Sequence, residues 1–116
     1  MSLYRRAARR DDSEPEVVAR LTEMGAQVFR LSGRDLPDLL IGWRGLTRLA
    51  EVKTGKAKLK PGQATFAQRW SGDEVVVLRN AEDATRWLLG LRPTARMIAA
   101  HARRLDAEIE SLEGIP

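Results

Sequence analysis

From Ser13 to Met24 the apolar residues Val17, Val18, Leu21 and Met24 recur at helical spacing, which predicts an α-helix with one buried stripe. Ser13 and Glu16 have the S-x-x-E spacing of a capping box, Pro15 sits in the tolerant first turn, and Gly25 is placed as a stop. The period then changes. Ala26 to Leu31 alternates and reads as a strand, followed by a polar loop over 32–36. Asp38 to Trp43 and Leu46 to Lys53 read as two further strands folded about Arg44-Gly45. Thr54 to Lys60 is a lysine-rich loop. Pro61 to Ser71 is a short helix with Ala64, Phe66, Ala67 and Trp70 inward, ended by Gly72. The unbroken apolar run within Glu74 to Leu78 predicts a buried strand. Asn80 caps a further helix that packs through Ala84, Trp87 and Leu88 and stops at Gly90. The order is α-β-β-β-α-β-α, and it predicts an α/β domain.

A different pattern occupies the tail. Ala95, Ile98, Ala102, Leu105, Ile109 and Leu112 are spaced 3, 4, 3, 4, 3, a heptad seam with charged flanks. Such a helix packs on its own domain, makes a dimer contact or docks a protein partner. The two alanines argue against a free-standing coiled coil. The chain divides into a basic N-terminal arm over 1–12, a core domain over 13–90 and a C-terminal helical segment over 91–116.

Composition narrows the class. With 43% hydrophobic and 31% charged residues, the 116-residue chain has the make-up of a globular domain. It contains no run of about 18 apolar residues, which argues against a membrane span. The arginines of the N-terminus have no apolar signal core behind them. Zero cysteines exclude disulfides and thiolate zinc sites, and fit a cytoplasmic chain. The net charge is +4, and its distribution matters more than its size. Arg5, Arg6, Arg9 and Arg10 precede any acid, and Lys53, Lys56, Lys58 and Lys60 fall within eight residues. Either cluster alone reads as solvated surface or as a phosphate-contacting patch.

The hairpin raises a chemical question. A two-residue turn at Arg44-Gly45 pairs Trp43 with Leu46, and the same register sets Asp38 opposite Glu51. Alternation then puts Asp38, Leu40, Leu49, Glu51 and Lys53 on one face, and Ile41, Trp43, Ala50 and Val52 on the other. Opposed carboxylates destabilise a sheet and raise each other's proton affinity. Lys53 offsets part of that cost, and a hard divalent cation offsets it better. From the residues alone two readings stay open: an edge-strand salt bridge between Glu51 and Lys53, or a Mg²⁺ site suited to phosphodiester hydrolysis, with a lysine beside the bound water.

Pro37-Asp38 followed by Glu51-Val52-Lys53 resembles the signature of the PD-(D/E)xK nuclease superfamily. The element order is similar to that superfamily's restriction-endonuclease-like core, a central mixed sheet flanked by helices. The chain most resembles the small VRR-NUC and Holliday-junction-resolvase-like branch, through SEPEVVARLTEMGAQVFRL before the motif and GQATF after it. The resemblance spans Ser13 to Leu89. It implies a Mg²⁺-dependent deoxyribonuclease, with Mn²⁺ as a substitute. Asp38, Glu51 and the carbonyl of Val52 would be metal ligands and Lys53 the catalytic lysine. Gln63 would support the site, and Glu16 would be an acid aimed at the metal or its water. Lys56, Lys58, Lys60, Arg9 and Arg10 are then the candidate DNA contacts. The expected form is a homodimer acting on branched or structured DNA. The rival is a DNA-binding or assembly module that uses the fold without cleaving.

Other motifs add little. His101 is the only histidine, which excludes a ββα-metal nuclease. The glycines read as turn residues and do not form a phosphate-binding loop. Trp43 and Trp70 are placed in the core in preference to base stacking.

Overall fold

The computed structural model describes residues 10–113. In chain order the elements are α1 (Glu14–Glu23), β1 (Gln27–Arg30), β2 (Leu39–Trp43), β3 (Leu46–Val52), α2 (Pro61–Arg69), β4 (Val76–Leu78), α3 (Ala81–Gly90) and α4 (Ala95–Glu113). This is the order the hydrophobic pattern predicts, with ends differing by one or two residues. The strands form one mixed sheet in the order β1-β2-β3-β4, antiparallel except for the parallel pair β3–β4.

The hairpin has the register expected of it. Trp43 pairs with Leu46 and Leu39 with Ala50. Arg44 and Gly45 both take positive φ, 49° and 86°, as a turn matched to the right-handed twist of its strands requires. The Arg44 guanidinium lies 4.5 Å above the Trp43 ring, which helps hold a non-glycine residue in that conformation.

One face of the sheet carries the core. Leu39, Ile41, Trp43, Leu46, Ala50 and Val52 pack with Val17 and Leu21 of α1 and Ala84 and Leu88 of α3. The two helices are also tied through polar groups. The Ala81 N–H donates to Glu16 Oε2 (3.0 Å) and the Arg20 guanidinium to Thr85 Oγ1 (2.8 Å). Asn80 caps α3 as predicted, accepting from the Asp83 N–H at 2.8 Å. The Trp43 indole N–H donates to the Met24 carbonyl at 3.1 Å, so this tryptophan is core.

The opposite face differs from expectation. No residue of α2 is buried. Trp70, expected inward, is 44% exposed and stacks on Phe66 at 5.6 Å between ring centroids. Helix α2 is held at its start, where the Asp35 carboxylate fits so closely that a Cβ on Gly62 would lie 2.1 Å from it. An anion at a helix N-terminus is favoured by the exposed N–H groups there.

Helix α4 has no buried residue, and Ile98, Leu105, Ile109 and Leu112 are all exposed. The heptad seam is therefore not packed on its own domain. Among the described residues no helix is long and apolar enough to cross a membrane.

Candidate active site

Asp38 stands one residue before β2, where strand pairing gives way to side-chain pairing. Its backbone carbonyl accepts from the Leu31 N–H at 2.8 Å, and its Oδ2 accepts from the Val52 N–H at 2.8 Å. The side chain thus satisfies a donor at the end of β3 that a backbone carbonyl would otherwise have to satisfy. The next pair beyond Leu39–Ala50 is Asp38 and Glu51, as the hairpin register demands.

Glu51 is 1% exposed, and its Oε1 has no hydrogen-bond partner. Burial and the neighbouring Asp38, through a side-chain hydrogen bond and its charge, push the pKa of Glu51 up to about 8; Lys53 pulls it back in part. Lys53 follows on the same face and is itself buried. Among the described residues it makes no ion pair. Its backbone N–H donates to the Leu78 carbonyl at 3.1 Å, so the strand is anchored on both sides. The edge-strand salt bridge is thereby excluded: β3 lies between β2 and β4.

Beside this cluster opens a cleft of about 470 Å³, lined by Asp38, Val52, Lys53, Thr54, Lys60 and Gln63, with Arg10, Asp11 and Asp12 closing it from the start of α1. Asp38, Val52, Lys53, Lys60 and Gln63 of the expected site residues therefore meet at the cleft, whereas Glu51, buried next to Asp38, does not line it. Gln63 reaches the cleft, but its Oε1 accepts from the Lys60 N–H at 2.9 Å, which makes it the cap of α2 as well. Lys56 and Lys58 are exposed on the adjoining loop and do not line the cleft. Arg79 shapes that loop by donating to the carbonyls of Gly55 and Ala57, at 2.9 and 2.7 Å.

Two expectations are corrected. Glu16 neither completes a capping box nor reaches the cleft. Ser13 has helical dihedrals and makes no side-chain cap, and Glu16 is spent on the first turn of α3. Arg10 is not a free phosphate contact. Its guanidinium pairs with Glu14 at 2.9 Å, donates to the Leu31 carbonyl at 2.5 Å and lies 3.8 Å from Asp38. Arg10 and Asp11 are thus bonded to the core domain. Arg9 lies outside the described residues.

Two contributors were not anticipated. Glu14 is 2% exposed and held between Arg10 and Arg30, each at 2.9 Å. The helical period contains its signal, because Glu14, Val17, Val18 and Leu21 are one stripe. Thr54 ties the end of β3 to the start of α1, accepting from the Ser13 hydroxyl at 3.2 Å and donating to Asp11. Its signal is only proximity to the lysine motif.

The donor set fits a hard cation. Asp38 and Glu51 are neighbouring carboxylates, and one buried carboxyl oxygen of Glu51 lacks any partner; oxygen donors of this kind suit Mg²⁺ or Mn²⁺. Among the described residues no group of three or more His, Cys, Asp or Glu side chains is placed to hold a metal, so solvent or substrate oxygens would have to complete the shell. No family model matches this chain, and neither a curated protein nor a solved structure does.

Proposed function

We propose that this protein is a metal-dependent endonuclease with a restriction-endonuclease-like core, hydrolysing DNA phosphodiester bonds on branched or structured DNA. The observation that carries the reading is Glu51: a buried carboxyl with an unpartnered oxygen, beside a second carboxylate and a buried ammonium. An unsatisfied buried acceptor costs about 1–3 kcal/mol, a cost that a cation bound between Glu51 and Asp38 would relieve. Asp38, Glu51 and the Val52 carbonyl would hold Mg²⁺, with Mn²⁺ as a substitute. When bound, the ion would acidify water and polarise the phosphorus–oxygen bond.

The chain's own residues supply the rest. Lys53 sits in the cleft wall with its rotation restricted by burial, so its ammonium is preorganised to stabilise charge on the phosphate or to orient the attacking water. Lys60 adds positive charge in the cleft, and Lys56 and Lys58 extend it along the loop toward a nucleic-acid backbone. Asp38 fixes the end of β3 through the Val52 N–H. Metal binding requires Glu51 ionised, so affinity for the ion rises with pH.

The test is cleavage of plasmid and branched DNA with Mg²⁺ or Mn²⁺ by wild type, Asp38→Ala and Lys53→Ala. Lys53→Ala is expected to cut about 100- to 1,000-fold more slowly, and Asp38→Ala at least as slowly. Equal residual cutting by all three proteins would sink the proposal. One observation favours the rival, a module that binds DNA without cleaving: Asp38 already commits an oxygen to the Val52 N–H. That reading expects retained DNA binding, no cutting by wild type and no heat of Mg²⁺ binding.

A further inference from the structure

We infer that the exposed seam of α4 pairs antiparallel with α4 of a second copy of this chain. Among the described residues nothing covers the seam. The side of α4 nearest the hairpin carries Met97, whose carbonyl would lie 2.5 Å from a Cβ on Gly45, and His101, Arg104 and the seam residue Leu105, which line a groove against the turn. At about 100° per residue the middle of that side is about a quarter turn from the middle of the seam, so Ile98, Ile109 and Leu112 face outward, while Leu105 borders the hairpin and is still 47% exposed.

Charge chooses the occupant. Arg96 and Arg103 precede the midpoint of α4 and Arg104 stands at it, whereas Asp106, Glu108, Glu110 and Glu113 all follow it. This is the reverse of what the helix dipole favours, with no acid in the first turn and no base in the last. A parallel copy would set like charge against like along the whole length. An antiparallel copy brings Arg96 to the height of Glu110 and Glu113, and His101 to that of Asp106 and Glu108; only Arg103 and Arg104, beside the axis, come level with like charge. It also sets the two dipoles head to tail.

Side-chain size makes the same choice independently. With the two-fold axis between residues 103 and 104, Ala95 meets Leu112, Ile98 meets Ile109 and Ala102 meets Leu105. Each alanine is filled by a leucine, whereas parallel in-register pairing would stack alanine on alanine in two layers and leave voids. The alanines that weaken a parallel coiled coil are therefore what an antiparallel one needs. The inference does not depend on the nuclease reading.

The chain contains no cysteine, so cross-linking reads the orientation directly. Ala95→Cys and Leu112→Cys proteins are prepared separately and oxidised alone and mixed. The antiparallel pair predicts a disulfide-linked dimer only in the mixture, because like positions would be about 26 Å apart. Self-linking of Ala95→Cys would overturn it, as would a wild-type chain that stays monomeric by light scattering up to about 1 mM. Ile109→Glu, at a position 52% exposed in the monomer, is expected to stay folded by circular dichroism and to weaken association by about 100-fold or more. Persistence of the wild-type dimer in that variant would also overturn the inference.

Discussion

Leu39 and Leu40 are neighbours in β2 and point to opposite faces of the sheet. Leu39 is fully buried among α1 and α3. Leu40 is half-buried, beside Leu49 and the exposed Trp70 in a shallow hollow of the opposite face. The first face is closed by two helices that pack on the sheet and on each other. The second is covered by one short helix with no buried residue. Asp38, Glu51 and Lys53 all belong to the second. A face covered by one short helix can tolerate opposed carboxylates and an unpartnered oxygen, and it leaves a cleft beside Asp38 and Lys53. The division therefore follows from strand alternation: one set of residues packs the core, and the interleaved set carries Asp38, Glu51 and Lys53.

The sharpest way to break this comparison is to truncate both leucines. Leu39→Ala is expected to destabilise the protein by about 3 kcal/mol, within the range for a buried leucine in a well-packed core. Leu40→Ala should cost about 1 kcal/mol or less, since much of its surface already meets solvent. Urea denaturation of the two variants measures both. Equal losses would show that α2 closes its face as firmly as α1 and α3 close theirs.

Much of this was legible in the chain. The hairpin register follows from the two-residue turn and the alternation of Leu39 to Trp43 and Leu46 to Val52, because a one-residue slip would turn every apolar side chain outward. With the register comes the meeting of Asp38 and Glu51. What was not legible depended on which neighbour a group would find. Ser13 and Glu16 have the spacing of a capping box, yet Thr54 and the first turn of α3 compete for them and win. Arg10 carries the same charge whether it faces solvent or Glu14, and only the fold brings Glu14 beside it. Helix α2 has apolar residues enough to be buried, but its hold on the rest is at Asp35 and Gly62, and apolarity does not say how much of a helix is covered.

A comparable effect separates the faces by pH. Glu51 is, with Lys53, a buried polar group of the second face, and its pKa is pushed up to about 8. A carboxyl that holds its proton more tightly when folded stabilises fully below its unfolded value, near 4.5. That stability is lost as pH rises toward about 8, because across this window the folded chain binds the extra proton. With divalent ions chelated, wild-type stability should fall by about 3 kcal/mol between pH 5 and pH 8. Glu51→Gln should flatten the slope, while Leu39→Ala should shift the whole curve downward and leave the slope unchanged. Added Mg²⁺ should restore the wild type at pH 8 and not Glu51→Gln. A wild-type curve that rises over this window would contradict the environment described for Glu51.

The smallest expected effect lies at the far end of the same face. Trp70 stacks on Phe66 and touches the sheet only near Leu40 and Leu49. Truncating a buried tryptophan costs about 3–5 kcal/mol, and Trp43, with its indole hydrogen bond to Met24, should behave that way. Trp70→Ala removes a ring that is 44% exposed, so it forfeits one aromatic pair and part of a ring's buried area, about 1 kcal/mol in all. Tryptophan fluorescence sharpens the test, because acrylamide should quench the Trp70 signal first and leave that of Trp43 protected. A Trp70→Ala loss as large as that of Trp43→Ala would mean that α2 is a true second wall. The cleft beside Lys53 would then owe its openness to something other than a thinly covered face.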